Sequence, residues 1–337
     1  MSVLYLMTAP PPPLAGTDAV FQDVEALHRR FGGEICNLAP QSSSTQRVIK
    51  QLYGLHDIRR VRQAERRHAL DHVFFSQPYP FPALHLLRNP TVYTVTASLD
   101  VKQKPPRLRA LRRFARLVVC NERDAGVLAA WGLSNYVVVP PGVDTSAITR
   151  SALPLDGELT LLMASAPWHI SQFASKGIDL LLAAAASIPR LKLILVWRGT
   201  LPDALLERVG RLGLGNSVEI VDRKVDINAY LKRAHATVVL ASDGGVVKSY
   251  PHSLIESLAA GKPVLLNNAI AMADYVDRHR CGVVLPDMTL PRFTAAVEAL
   301  RRDYTALAEN AARLDMDLFS VARMVEGYGR VYDQVTR

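Results

Sequence analysis

Short apolar runs rich in Val, Ile and Leu alternate with longer helical patterns, and the scheme runs through this chain twice. Alternation of this kind gives α/β layers built on parallel sheets. Strands are expected in the first half at 3–7, 34–38, 72–76, 91–96, 117–120 and 136–139, with helices at 20–31, 58–70, 108–115 and 122–131. The second half is expected to place strands at 159–164, 192–197, 217–221, 236–240, 263–266 and 282–285. Its helices fit 177–188, 202–212, 227–234, 254–260, 271–277, 291–304 and 320–334. A chain of 337 residues is about two domains long, and the turn Pro140-Pro141-Gly142-Val143-Asp144 is the natural join. The reading is a first α/β domain over 1–145, a second over 146–310, and a helical tail over 311–337 that packs back on the first. Two such halves in tandem place the largest cleft between them, with strand C-termini and helix N-termini converging on it.

Hydrophobic residues make up 49% of the chain and charged residues 21%, a balance suited to a sizeable core. No apolar run reaches the roughly 18 residues that a bilayer span needs. The opening Met-Ser-Val-Leu-Tyr-Leu-Met lacks a basic region and reads as a buried strand, not a signal peptide. Cys36, Cys120 and Cys281 are widely spaced core residues without a metal-ligand pattern, which points to a reducing, cytoplasmic setting. His28, His68 and His235 show no metal spacing either, so no metal is expected. Net charge is +9 and lopsided: residues 1–150 hold 19 Lys and Arg against 11 Asp and Glu, the rest 21 against 20. The surplus sits in Arg59-Arg60-Val61-Arg62, in Arg66-Arg67 and in the run from Lys102 to Arg116. Arg109, Arg112, Arg113 and Arg116 stand at helical spacing and are expected to share a face, either solvated or turned to an anionic membrane surface or an acidic acceptor. Nucleic acid is not expected, because no aromatic platform accompanies the charge.

The stretch from Lys248 to Leu266 carries the most chemistry. It reads as a polar loop, a short helix, a Gly261 turn and a buried strand after Pro263. Ser253 followed three residues later by Glu256 is a capping-box pattern. A loop entering a helix N-terminus aims backbone N–H groups and a positive dipole end at one point, which suits a diphosphate. A carboxylate one turn into that helix can accept hydrogen bonds from sugar hydroxyls.

This stretch resembles the donor-site motif of the group 1 glycosyltransferases (glycosyltransferase family 4), with Glu256 at the second Glu of that motif and Lys248 where a first Glu is expected. Val137 to Asp144 is similar to the family's strand and interdomain turn, and Ser175-Lys176-Gly177 to its Lys-Gly helix start. The segments 191–199 and 216–241 resemble the strands between, so that the likeness covers about residues 115–290. The resemblance implies the GT-B fold, two Rossmann-like domains facing across a cleft. It also implies transfer of a sugar from a nucleotide donor with retention of configuration, without a bound metal or other cofactor.

On that resemblance Lys176 contacts the donor phosphate and Glu256 the ribose, with Lys176, Lys248 and Glu256 as the catalytic candidates. The donor-binding set is Gly16, Thr17, Lys176, Arg198, Val225, His252, Ser253, Leu254 and Glu256. The family's Arg before the Lys is missing from Ser165–Phe173, so Lys248, or less readily Arg198, is the candidate for the second cation. Thr96 stands where the family often has a His near the reacting sugar. Acceptor-side or membrane candidates are Thr96, Arg109, Arg112, Arg113 and Arg116. The expected activity is that of a retaining glycosyltransferase acting on a glycan, lipid-linked or small-molecule hydroxyl, in polysaccharide or glycolipid biosynthesis. The expected location is cytoplasmic, with peripheral membrane attachment. The alternatives are a non-catalytic nucleotide-sugar- or glycan-binding subunit of the same fold, or a nucleotide-sugar epimerase.

Overall fold

The computed structural model describes residues 2–8, 13–38, 53–103 and 108–337. The proline run at 9–12 and positions 104–107 of the basic run lie outside the described residues. Contacts divide the chain into two units, Met1–Pro11 with Asp18–Gly142 and Val321–Arg337, and Pro12–Thr17 with Val143–Ser320.

In chain order the first unit contains β1 (Val3–Met7), α1 (Ala19–Phe31), β2 (Gly33–Asn37), α2 (Ile58–Glu65), β3 (Leu70–Phe75), β4 (Thr91–Val95), α3 (Leu108–Leu111), β5 (Arg116–Val119), α4 (Glu122–Ala130) and β6 (Tyr136–Val138). The second contains β7 (Leu159–Met163), α5 (Gln172–Ser175), α6 (Ile178–Ser187), β8 (Leu191–Val196), α7 (Pro202–Arg211), β9 (Val218–Val221), α8 (Ile227–Leu231), β10 (Ala236–Val239), α9 (His252–Ala259), β11 (Val264–Asn267), α10 (Ala273–His279), β12 (Gly282–Leu285) and α11 (Leu290–Ala312). The last helix, α12 (Val321–Thr336), belongs to the first unit. Because α11 is continuous through residue 310, the break before that helix falls at Ser320, later than the sequence reading put it.

Among the described residues each unit has one six-stranded sheet, in the orders β2-β1-β3-β4-β5-β6 and β12-β11-β10-β7-β8-β9. The strand pairings within both are parallel, as between Val3 and Gly33 or Leu161 and Ala236. Side chains alternate between faces with period two. Val3, Tyr5 and Met7 pack under α1 and α12, while Leu4 and Leu6 pack with Val61 of α2 and Leu128 of α4. Leu161 and Met163 likewise join α6 and α11, whereas Leu162 joins Tyr230 and Leu231 of α8. With both faces covered, the strands are near-continuous apolar runs. The outer strand on one side of each sheet opens with a glycine. A Cβ on Gly33 would lie 1.9 Å from the Val3 carbonyl oxygen, and one on Gly282 2.1 Å from that of Val264.

Three helices are shorter by three or more residues than their patterns predict, α8 ending at Leu231 and the other two in the first unit. α2 stops at Glu65 because Asn89 Nδ2 donates to the carbonyls of Glu65 (3.0 Å) and His68 (2.9 Å), and Leu70 then opens β3. The arginines at 109–116 do not share a helix face. α3 is a single turn, Arg112 and Arg113 lie in the turns after it, and Arg116 begins β5. The cause is distant in sequence: Asn135 Nδ2 takes the carbonyls of Leu111 (3.0 Å) and Phe114 (2.8 Å) while both side chains are buried. Arg109, Arg112 and Arg113 are exposed, and Arg112 donates to the Gly132 carbonyl at 3.2 Å. Cys36 and Cys281 are buried and free, while Cys120 is partly exposed, outside the core position expected for it. Among the described residues no helix is long and apolar enough to cross a membrane.

Buried hydrogen bonds hold α12 on the first sheet. His72 Nδ1 lies 2.6 Å from the Tyr332 hydroxyl and Nε2 lies 2.7 Å from Thr94 Oγ1, which is 3.0 Å from the Tyr328 hydroxyl. Burial holds the imidazole well below its ordinary range, so it is neutral, and one ring nitrogen donates while the other accepts. Tyr332→Phe removes one partner and strands a buried nitrogen, at a cost of roughly 1–3 kcal/mol. We expect a lower urea midpoint for the first unit in Tyr332→Phe. Arg330→Ala, which breaks only an exposed ion pair with Glu326, should stay close to wild type. Equal midpoints for the two variants would show that the network contributes nothing to stability.

Candidate active site

The order of the second sheet reverses at β7 and β10: the chain runs outward through β8 and β9, then returns and runs the other way through β11 and β12. Loops that leave the C-terminal ends of β7 and β10 therefore part company, and such a switch point is where open α/β sheets bind ligands. Of the expected site residues of this unit, Lys176 lies on the connection after β7, Arg198 just past β8, Val225 on the connection after β9, and Lys248, His252, Ser253, Leu254 and Glu256 on the connection after β10.

The β7 loop, residues 164–171, brings a carbonyl to the centre. Lys176 Nζ donates to the Ala166 carbonyl at 2.9 Å and to Ser165 Oγ at 3.4 Å. Arg198, just past β8, reaches the same carbonyl with Nη2 at 2.6 Å. Two cations thus meet on one oxygen. Lys176 is buried, closes α5 and stands directly before Gly177, the N-cap of α6, at the helix start where the sequence reading placed it. The next residue, Gly177, has a φ of +69°, and a Cβ there would stand 2.7 Å from Leu240, so the turn requires glycine. Ser242 N–H donates to the Ser175 carbonyl at 2.7 Å and ties this turn to the β10 loop. Asn267 at the end of β11 fixes the same loop by paired bonds with the Ala241 backbone, at 2.9 and 2.8 Å.

α9 follows the β10 loop. Its N-cap is Pro251, with no side-chain cap, and Ser253 lies inside the first turn. The capping box expected from Ser253 and Glu256 is therefore absent, because Pro251 begins the helix two residues earlier than that pattern requires. The Leu254 N–H, expected to face a ligand, instead donates to the Pro251 carbonyl at 3.1 Å. The N-terminal end carries the amides of His252 and Ser253. Lys248 Nζ lies 3.1 Å from His252 Nε2. Gly261, with a φ of +74°, ends the helix as expected.

Glu256 is half-buried, and its carboxyl is raised to about 7 by burial. No hydrogen bond to this carboxyl occurs among the described residues that would hold it ionised. A carboxylate left in that state costs stability and is a common mark of a binding or catalytic group.

Gly16 and Thr17 cluster with the second unit. Gly16 has a φ of +76°, and Lys224 Nζ stands 3.4 Å from where its Cβ would be. The Thr17 hydroxyl donates to the Leu14 carbonyl at 2.7 Å, within its own turn. Val225 packs, partly buried, with the α8 side of the core. Thr96 lies just past β4 in the first unit, its N–H donating to the Phe75 carbonyl at 2.9 Å. Sequence reasoning ranked Lys248 above Arg198 as the second cation, whereas the geometry puts Arg198 beside Lys176. It missed Trp168, whose ring lies 4.3 Å under the Arg198 guanidinium, and Lys224 beside Gly16. Only the adjacency of β7 and β8 could have revealed the first.

The buried Glu256 carboxyl yields a stability test. Its folded pKa is raised from 4.5 to about 7, so the native state favours the protonated form. Wild type should lose stability as pH rises from about 4.5 through 7 and level off above, a loss of roughly 3 kcal/mol at most. Glu256→Gln does not titrate. We expect it to be the more stable protein at pH 8 and to match wild type below pH 4.5 in thermal melts. Parallel stability curves across that range would mean that the carboxyl is not held in this way.

Residues 169–314 match the family model described as glycosyl transferases group 1. No curated protein matches the chain in sequence. Among solved structures it is similar to a sucrose-phosphate synthase from Thermosynechococcus elongatus, at 18% identity and a TM-score of 0.75, with 99% of each chain covered. It is also similar to Anabaena HepE solved with UDP, at 16% identity and a TM-score of 0.70, covering 99% of this chain and 100% of that one. WaaG, a glycosyltransferase involved in lipopolysaccharide biosynthesis, gives 16% identity and a TM-score of 0.69, with 99% of each chain covered. At these identities the solved structures establish the fold, and the family match establishes the second unit. Residues 169–314 form a group 1 glycosyl transferase domain, and the chain that carries it is a glycosyltransferase of GT-B fold.

Proposed function

We propose that the chain transfers a sugar, with retention of configuration, from a nucleoside diphosphate donor to an acceptor hydroxyl of a glycan or lipid-linked sugar. The observation that carries this reading is the meeting of Lys176 and Arg198 on the Ala166 carbonyl at the sheet's switch point. A diphosphate would exchange for that carbonyl and take charge-assisted hydrogen bonds from both. In the transfer the bond from the anomeric carbon to the phosphate oxygen breaks, and its electron pair stays on the diphosphate. The acceptor oxygen bonds the same face of that carbon, and its proton passes to the departing phosphate oxygen. The cations act where charge develops on the leaving group, and the amides at the start of α9 add a dipole of the same sign. Glu256, once ionised, accepts hydrogen bonds from donor hydroxyls. HepE has been solved with UDP and with UDP-glucose, which supports a nucleotide sugar of this class as the donor. The exposed arginines of the first unit, among them Arg59, Arg66, Arg109, Arg112 and Arg113, support an acceptor that carries or lies on negative charge.

The reading is tested with UDP-, GDP- and ADP-sugars by following release of the nucleoside diphosphate, with product anomers assigned by NMR. Lys176→Ala and Arg198→Ala should each lower turnover by roughly one to three orders of magnitude in folded protein. Near-normal turnover in both would remove the clamp from the mechanism, and an inverted product would refute retention. Binding of the nucleoside diphosphate should also strengthen roughly tenfold between pH 6 and 8 in wild type beyond any change in Glu256→Gln, as the carboxyl near 7 ionises. Identical pH profiles would exclude Glu256 from donor binding.

A further inference from the structure

The Arg198 side chain is long and reaches its carbonyl from a neighbouring strand, so something must fix its orientation. The guanidinium carbon lies 4.3 Å from the centre of the Trp168 ring. The segment that carries this indole is itself pinned. The Trp168 backbone N–H donates to Gln172 Oε1 at 2.6 Å, and the Pro167 carbonyl accepts from Thr200 Oγ1 at 2.6 Å. Arg198 and Thr200 flank Gly199, whose φ is +78° and whose N–H donates to Asp222 Oδ1 at 2.7 Å. The turn after β8 thus sends one side chain to the Ala166 carbonyl and another to the Pro167 carbonyl, with the indole against the first.

We propose that Trp168 is a positioning residue for Arg198, its indole face holding the guanidinium plane so that its N–H donors address a bound diphosphate. This rests on the donor reading above. A guanidinium presents five N–H donors in one plane, and stacking on an aromatic face sets that plane without using any donor. A cation stacked in this way gains from the ring quadrupole and loses less rotational freedom when it grips phosphate. Lysine at 198 could not be aligned in this manner. Trp168 is half-buried, whereas Trp131 and Trp197 are 5% and 1% exposed, so it is the tryptophan whose emission should respond when the neighbouring cation engages an anion.

The test measures UDP, GDP and ADP binding by calorimetry and by tryptophan emission, and carries forward whichever binds. In wild type, binding should change the emission. Trp168→Phe keeps an aromatic face, so its affinity should stay within about threefold of wild type while the emission change disappears. Trp168→Ala should weaken binding roughly threefold to thirtyfold. In a double-mutant cycle with Arg198→Ala the two losses should overlap, because both remove one arrangement. Wild-type affinity in Trp168→Ala, additive losses, or an emission change that survives in Trp168→Phe would each overturn the proposal. Should Trp168→Ala fail to fold, the Trp168→Phe arm still decides through its emission. If wild type binds none of the three nucleotides, the donor reading falls and this proposal falls with it. Binding that persists without dependence on Trp168 removes this proposal alone.

Discussion

The parallel pairing of β7 with β10, Leu161 opposite Ala236 and Leu162 opposite Thr237, is the constraint on which the site depends. A parallel pair cannot be closed by a tight hairpin, so each of these strands must be followed by a crossover that leaves the sheet at the same edge. Because the next strands lie on opposite sides, the two crossovers separate at their start. Lys176, Arg198 and the first turn of α9 enter that region from three connections, and each owes its place to strand order. The bonds from Ser242 and Asn267 brace the gap from the β10 side.

The positions of the strands were legible because a strand covered on both faces must be apolar throughout, and such runs stand out in a chain where charged residues are 21% of the total. What misled the reading was local pattern decided by a distant partner. Four arginines at helical spacing do make a face if the helix continues, but Asn135 claims the carbonyls that would continue it. Ser253 and Glu256 do fit a capping box if the helix begins at Ser253, but Pro251 starts it earlier. The pairing of Arg198 with Lys176 has no local signature, since 22 positions of chain separate them and only the β7–β8 register brings them together.

Stability and chemistry pull against one another at Glu256. A helix interior with an apolar side chain there would be cheaper to fold, since burial opposes the charged form. Lys176 shows the opposite solution. It is the more deeply buried of the two, yet its ammonium is satisfied by the Ala166 carbonyl and Ser165. Burial thus raises the pKa of one group, while hydrogen bonds to a carbonyl and a hydroxyl satisfy the other.

The return of α12 to the first sheet has a consequence for how the chain is made. During synthesis the strands of that sheet emerge early, but Tyr5, Val92 and Val118 receive their α12 partners Tyr328, Val331 and Tyr332 only after the whole second unit has been translated. At about 5–20 residues per second, that face waits roughly ten seconds or more for its cover. Until then that face of the nascent first sheet lacks its α12 cover, whereas the second unit, contiguous apart from one short loop, has been synthesised in full.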